Sequence, residues 1–349
     1  MAGVSEATVS RVFNQVGPIR EETRLKVLQA AKELGYYPNA IAQSFARRKS
    51  GNIGVVLPYV PKVHIFSTYY FSEILSGIGE QVRELGYDML LIFKKPEDDN
   101  GYIDLFRSQK VDACILLGTT DTPEEREALK ELKEANHPFC LVNQHFEGEG
   151  FLEVDADHEQ GAYEAVNHLL AVGYRNIAFL NGPPGYSNSR DRLKGYIRAM
   201  SGAGIFDQTA EMEKAVPAEW LETGNYSRTS GYEAAFRFHR RLERIDAVFA
   251  ANDRMGIGLI QGFRELGIIP GRDIAIVGYD DSDGARITDP PLTSVAVPFY
   301  RMGALAVKLL LSENPAAAVC EEGISRCGDR RCQMETRLVV RSSSMRNQA

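Results

Sequence analysis

Between residues 53 and 279 the chain alternates short, continuously apolar runs with amphipathic stretches, and this alternation limits the possible folds more than any other feature. The apolar runs are Ile53–Pro58, Tyr87–Phe93, Val111–Gly118, Phe139–Asn143, Ile177–Gly182, Ala247–Ala251 and Ile274–Tyr279. Between them, Phe71–Leu85, Pro123–Ala135, Gly161–Val172, Arg190–Ala203, Ser230–Leu242 and Met255–Leu266 carry apolar residues at helical spacing. Strands that are apolar on both faces need helices on both faces, so the pattern predicts α/β architecture with parallel sheets. Roughly 290 residues of it exceed one core and predict two doubly wound lobes. Such sheets bind ligands beyond the carboxyl ends of their strands. Those ends carry polar groups here: Asn181-Gly182-Pro183, Asn252-Asp253 and Gly278-Tyr279-Asp280-Asp281. A polar small-molecule site between the lobes is the expectation.

Several function classes fall away. No Gly-x-Gly-x-x-Gly follows a strand, and there is neither a Walker-type loop nor a Gly-x-Ser-x-Gly elbow. No nucleophile is paired with a base in the expected cleft, so the chain reads as a non-enzyme with no cofactor. The first residues lack a signal peptide's apolar run, and no stretch approaches the ~18 apolar residues of a spanning helix. A soluble, cytoplasmic protein without a membrane partner is expected. Five cysteines, an odd number, argue against a secreted disulfide framework. Cys114 and Cys140 lie in apolar runs and are expected in the core. Cys320, Cys327 and Cys332 have a spacing that suits loop thiols better than zinc, and no metal site is assigned.

A net charge of −7 argues against a nucleic-acid partner until it is divided along the chain. Residues 1–49 hold eight Lys/Arg against four Asp/Glu, or +4, which leaves −11 on the other 300. A basic head on an acidic body points to a nucleic-acid module. In the run Ala2–Gln15, Gly3 suits a tight turn and Ser5 can cap the helix that follows. Val9, Val12 and Phe13 form its inward stripe. Ser5, Glu6, Ala7, Thr8, Ser10, Arg11 and Asn14 are then candidates for contacts to base edges and phosphates, as on a recognition helix. An ordinary amphipathic surface helix would show the same spacing. A second helix is predicted over Glu21–Leu34, with Leu25, Leu28, Ala31 and Leu34 as its core stripe. Beyond Tyr37-Pro38-Asn39, the segment Ala40–Ala46 is too short to stay helical in water. Beside Arg47-Arg48-Lys49 it could fold on DNA, with Asn39, Ala42 and Phe45 as contacts and Phe45 as a minor-groove wedge.

The runs Ala2–Gln15, Tyr37–Phe45, Gly278–Asp281 and Pro291-Leu292-Thr293-Ser294-Val295 occur in this order. Over essentially its whole length the chain resembles the lactose-repressor (LacI) family of bacterial transcription regulators. The resemblance implies a helix-turn-helix head, a hinge helix and a two-lobed core of the periplasmic-binding-protein type. It also implies homodimers that bind palindromic operator DNA under the control of a small effector. The expected divisions are 1–37 for the head, 38–50 for hinge helix and linker, 51–157 plus about 290–318 for the N-terminal lobe, and 158–289 plus about 319–349 for the C-terminal lobe. In the family about a dozen residues precede the Ala-Gly-Val-Ser motif and form the first helix of the head. Here Met1 alone precedes it. The expectation is a head lacking that helix, a start codon placed too late, and weak operator binding by the 349-residue form.

For the effector, the resemblance implies the aromatic pair Tyr70-Phe71, Arg192 just ahead of Leu193-Lys194-Gly195-Tyr196, and Tyr226 as a cover. Asn252 can donate and accept, Asp280 can accept paired hydroxyl hydrogens, and Phe299 can close the pocket from behind. Asp157, near a crossover, is a further candidate with a structural role equally open, and Arg190 reads as a solvated neighbour. An arginine fork, an amide, a carboxylate and aromatic faces together suit a carbohydrate. The loop Pro184–Asn188 does not match the purine-binding members. The expected function is a repressor whose operator affinity is set by a sugar or sugar derivative. The rivals are a cytosolic sugar sensor with an inert head and an enzyme on an α/β scaffold.

Overall fold

The structure, a computed structural model, describes residues 1–14, 16–37, 49–59, 65–95, 101–207, 216–312, 323–328 and 330–346. At the front, Gly3 takes a left-handed conformation (φ 66°) and turns the chain into Ser5. The Ser5 hydroxyl accepts from the Thr8 N–H at 3.3 Å and caps α1 (Glu6–Asn14). In α2 (Glu21–Glu33) Arg20 supplies no side-chain cap, and Glu21 and Glu22 sit in the first turn, where the helix dipole favours them. Val12 and Val27 are the buried residues of this pair of helices. The stripe expected on α2 is corrected: Leu25, Leu28 and Leu34 are exposed and Ala31 is half-buried. The face carrying Val27 is turned inward instead, and no described element covers the leucines. The expected hinge, with Asn39, Ala42 and Phe45, lies outside the described residues.

The body is two sheets. The first has the order β11-β12-β5-β4-β3-β1-β2. Its strands are β1 (Asn52–Pro58), β2 (Asp88–Lys94), β3 (Ala113–Leu117), β4 (Phe139–Val142), β5 (Glu153–Ala156), β11 (Ile324–Cys327) and β12 (Arg331–Met334). The second has the order β13-β10-β9-β8-β6-β7. It comprises β6 (Ile177–Asn181), β7 (Leu221–Thr223), β8 (Ala247–Ala250), β9 (Ala275–Asp280), β10 (Thr293–Ala296) and β13 (Arg337–Val339). Pairing is parallel except for β10 with β13 and β11 with β12. All seven apolar runs become strands within two residues of their expected ends. Cys114 and Cys140 are free thiols in the core. No described helix is long and apolar enough to cross a membrane.

The chain passes between the lobes three times, at Asp157, at Val297-Pro298 and at Glu335-Thr336. The lobe boundaries expected at about 290 and 319 are therefore corrected. Residues 290–297 belong to the C-terminal lobe, because β10 pairs with β9 from Thr293↔Val277 to Ala296↔Asp280. Residues 323–334 belong to the N-terminal lobe, because β12 pairs with β5 from Arg331↔Glu153 to Met334↔Ala156. This register buries Cys332 and Met334 and leaves Arg331 and Gln333 half-buried. Cys332, expected as a loop thiol, is a disulfide-bonded strand residue, and Cys320 lies outside the described residues.

Three helix pairs cover the sheets: α3 (Tyr69–Glu84) with α11 (Phe299–Leu311), α6 (His158–Val172) with α7 (Ser187–Gly202), and α8 (Arg228–His239) with α9 (Asp253–Glu265). The shorter helices are α4 (Tyr102–Arg107), α5 (Pro123–Glu134) and α10 (Asp283–Ile287). Each pair closes over glycine. A methyl at Gly77 would strike the Tyr300 backbone, one at Gly195 the Glu159 backbone, and one at Gly231 the Met255 backbone. The helices therefore approach closer than any side chain at these positions allows.

Candidate functional site

The strands of both sheets end at one cavity of about 180 Å³, which admits a ring-sized ligand and not a folded segment. Pro58 at the end of β1, Gly118 after β3, Asn143 after β4, Asn252 after β8 and Asp280 ending β9 all line it. This is the carboxyl-end placement that the doubly wound topology dictates. Three of the six described non-glycine residues with positive φ line this cavity, Asn143, Tyr226 and Asp280, and a fourth, Asp281, directly follows. Strained backbone gathers where a site must aim its side chains.

The N-terminal lobe supplies an aromatic wall. Tyr70 and Phe71 begin α3, Phe299 begins α11, and all three line the cavity. Tyr70 meets Phe71 edge-on at 4.7 Å and Phe299 at 5.2 Å. The C-terminal lobe faces this wall with Tyr226, whose ring lies over Gly182. A methyl at Gly182 would strike that ring, which is why the strand end at Asn181 is followed by glycine. The Tyr226 hydroxyl donates to Asn188 Oδ1 at 2.8 Å and is also bonded to Ser189.

Arg192 projects from α7 and is buried. Its Nη1 donates to the Ala251 carbonyl at 2.9 Å, its guanidinium stacks on Tyr279 at 4.2 Å, and its Nε has no partner. Asp280 stands in the same wall with φ 108°. Burial and the neighbouring Asp253 carboxyl push its pKa well above the usual range, against the pull of Arg192 and Arg254. The shift favours the protonated form of Asp280, in which the carboxyl donates as well as accepts. Asp253 itself is turned away from the cavity and accepts from the Ser282 N–H at 2.7 Å and from the Ser294 hydroxyl at 2.6 Å. Asn252 lines the cavity but also caps α9. Its Oδ1 accepts from Met255 N at 2.9 Å and its Nδ2 donates to the Tyr226 carbonyl at 3.1 Å, which leaves one donor and one lone pair for a ligand.

Two expectations are corrected. Asp157 does not line the cavity. It caps α6 by accepting from Gln160 N at 3.0 Å, because the crossover there runs straight into a helix whose first N–H groups need an acceptor. Arg190 is not merely solvated, since its Nη2 reaches Asp121 of the other lobe at 3.0 Å. Ten lining residues were not among the expected effector contacts, the polar ones including Asn143, Gln144, Tyr186, Asn188 and Arg254. Asn143 ends a predicted strand and Gln144 follows it, so the strand-end rule that located Asn252 applies to them equally.

Behind the cavity a buried polar seam joins the lobes. Gln144 Oε1 accepts from Ser187 N at 2.8 Å, Asn188 Nδ2 donates to the Asn143 carbonyl at 3.2 Å, and His158 Nε2 bonds Asn143 Oδ1 at 2.7 Å. Burial and the nearby Arg192 charge hold the His158 pKa well below its usual value, so the ring is neutral. Deeper, His145 Nδ1 lies 2.9 Å from Asp155 and 3.7 Å from Asp191 of the other lobe, and Arg331 reaches Asp155 at 3.1 Å. Burial alone would raise Asp155, but the His145 hydrogen bond and the surrounding positive charges hold it down, to about 2. Its neighbour Glu153 has only an N–H bond from Phe146 at 2.9 Å and a longer approach to Arg331, and burial pushes it up to about 7.

A folded pKa above the ordinary carboxylate value means that the Glu153 contribution is full below pH ~4.5 and is lost as pH rises through about 7. Glu153→Gln keeps the acceptor for Phe146 and removes the charge. The variant should match the wild type near pH 4 and exceed it at pH 8 by roughly 3 kcal/mol in urea unfolding. Parallel stability curves across that range would refute the assignment.

On the head, Ser5, Glu6, Ala7, Ser10 and Arg11 are exposed along α1, while Thr8 and Asn14 are half-buried. The Thr8 hydroxyl is bonded to Ser5 at 3.0 Å and Asn14 Nδ2 to Ser10 at 3.2 Å, so these two position their neighbours.

Residues 1–39 match the family described as bacterial regulatory proteins, lacI family, and residues 166–344 match a periplasmic binding protein-like domain. The chain is 31% identical to catabolite control protein A of Priestia megaterium over 88% of its own length and 89% of that protein. Among solved structures it resembles a complex of the transcriptional regulator CelR with cellobiose, at TM-score 0.71 and 30% identity over 98% of this chain and 97% of that one. It also resembles the lac repressor dimer bound to operator and the anti-inducer ONPF, at TM-score 0.78 and 26% identity over 99% and 96%.

Proposed function

The chain belongs to the lacI family of bacterial regulatory proteins, and from this premise we propose that it is a dimeric repressor. In this reading its operator affinity is set by a sugar or sugar derivative held between the lobes. The observation that carries the reading is the convergence of Arg192, Asn252 and Asp280 from one lobe with Tyr70, Phe71 and Phe299 from the other on a single cavity. Fork, amide and carboxyl supply the paired donors and acceptors that vicinal hydroxyls need, and the rings supply faces for the apolar side of a pyranose. The similar CelR structure holds cellobiose, which supports the carbohydrate class.

A ligand touching both walls stabilises one relative arrangement of the lobes. In a dimer that arrangement sets the separation of the two heads, so effector and operator affinities are linked and reciprocal. On the DNA side, Arg11 and Ser10 of α1 serve phosphate or guanine, and Ser5, Glu6 and Ala7 present the base-reading end.

A thermal-shift screen of sugars and purine bases, followed by gel-shift titration against DNA upstream of the gene, tests the reading. At least one sugar should stabilise the protein and change operator affinity by about fivefold or more at one fixed salt concentration. Stabilisation by a purine base and by no sugar would overturn it.

A further inference from the structure

The cavity wall carries one cation more than a neutral sugar calls for. Arg254, the second residue of α9, lines the cavity, is half-buried, and makes no ion pair or hydrogen bond with a described residue. The acidic groups near it are already committed. Asp280 faces Arg192 and Arg254 together. Asp253 is spent on Ser282 and Ser294. Asp281 is held by Arg341 and, at 3.3 Å, by Arg286. Two guanidinium groups therefore share one carboxyl. Two further donors in the same wall, Arg192 Nε and Gln144 Nε2, are buried without a partner. The excess in this wall is of donors and positive charge, which is the complement of an anion.

We propose that the ligand is an acidic sugar, a pyranose or polyol bearing a carboxylate or phosphate, with the anionic group on Arg254. The proposal rests on the carbohydrate reading of the same cavity. When the lobes enclose a neutral sugar and expel water, Arg254 is left as an uncompensated charge in a poorly solvated wall. An anion on the ligand offsets that cost, accepts a forked pair of hydrogen bonds, and sits where the amino end of α9 adds its own positive potential. The hydroxyls of the same molecule remain for Arg192, Asn252 and Asp280.

Calorimetric titration of the full chain with matched probes tests this. Glucose, glucuronate, gluconate and glucose 6-phosphate form one set, and galactose and galacturonate the other. At least one acid should bind about tenfold or more tightly than its neutral parent, the size of one charge-assisted hydrogen bond. Arg254→Gln should erase most of that ratio while leaving the melting temperature of the unliganded protein in place. The ranking of glucuronate against glucose 6-phosphate tells carboxylate from phosphate. Neutral parents that bind as tightly as their acids, or a ratio that survives Arg254→Gln, would overturn the proposal and leave the carbohydrate reading standing. Binding of a purine base with no response to any of these probes would overturn both.

Discussion

Arg192→Ala should cost the cleft between about one and a half and three and a half orders of magnitude in effector affinity and flatten the operator response. Truncating one partner of a buried, hydrogen-bonded charge typically costs ~2–5 kcal/mol, or about 30-fold to several-thousand-fold in affinity. Arg192 is buried, stacked on Tyr279 and fixed to the Ala251 carbonyl, so its fork is aimed before the ligand arrives. The variant should stay folded, because Arg192 meets the sheet at the cleft ends of β8 and β9 and the apolar core beneath them is untouched. Asp280 offers a sharper comparison. Burial and the neighbouring Asp253 push its pKa well above the ordinary range, which favours the protonated carboxyl. Asp280→Asn, neutral and of the same shape, should therefore lose less than Asp280→Ala. An undiminished induction curve for Arg192→Ala in gel-shift titration would refute the placement of the site.

Gly258→Ala should destabilise the C-terminal lobe more than any surface change of the same size. A methyl there would strike the Arg228 carbonyl and lie 2.6 Å from the Tyr232 nitrogen. Both are backbone atoms of α8, so no rotamer can move aside and the two helices must part. Overpacking of this kind costs ~1–3 kcal/mol or more, and for lobes of this size each kcal/mol lowers Tm by about 2–4 °C. A fall on the order of ten degrees is expected. Gly202→Ala is the control, since an added methyl there meets nothing within 4 Å. It should be neutral or stabilise by up to ~1 kcal/mol. Equal melting temperatures for the two variants would show that the helix contact is looser than its geometry.

The order of strands and helices was legible because parallel strands buried on both faces are apolar throughout, as in the Ile53–Pro58 run. β5 escaped for the opposite reason. It carries Glu153 and Asp155, both buried, which breaks the apolar run, and their partner Arg331 lies too far along the chain to be seen with them. The lobe boundaries failed with it, because β12 is a four-residue strand recognisable only by its pairing with β5. At the cleft, Arg192, Tyr226, Asn252 and Asp280 are legible as effector candidates, since strand ends and the resemblance both point there, and all four line the cavity. Arg254 was missed two residues beyond Asn252. Helical periodicity says which neighbours share a face, but not which of them opens onto a cavity. Asp157 shows the reverse error: a carboxylate at a crossover serves the helix it begins.

The three passages between lobes also bear on how the chain emerges from a ribosome. Synthesis supplies β1 to β5 first, but β5 then presents an unpaired edge until β12 appears some 175 residues later. The face of α3 at Gly77 waits longer still, until α11 follows more than 200 residues later. The C-terminal lobe also lacks β10 and β13 until the same final stretch. Neither half can finish ahead of the other, so this fold forgoes the domain-by-domain order that spares most long chains a prolonged exposure of apolar surface.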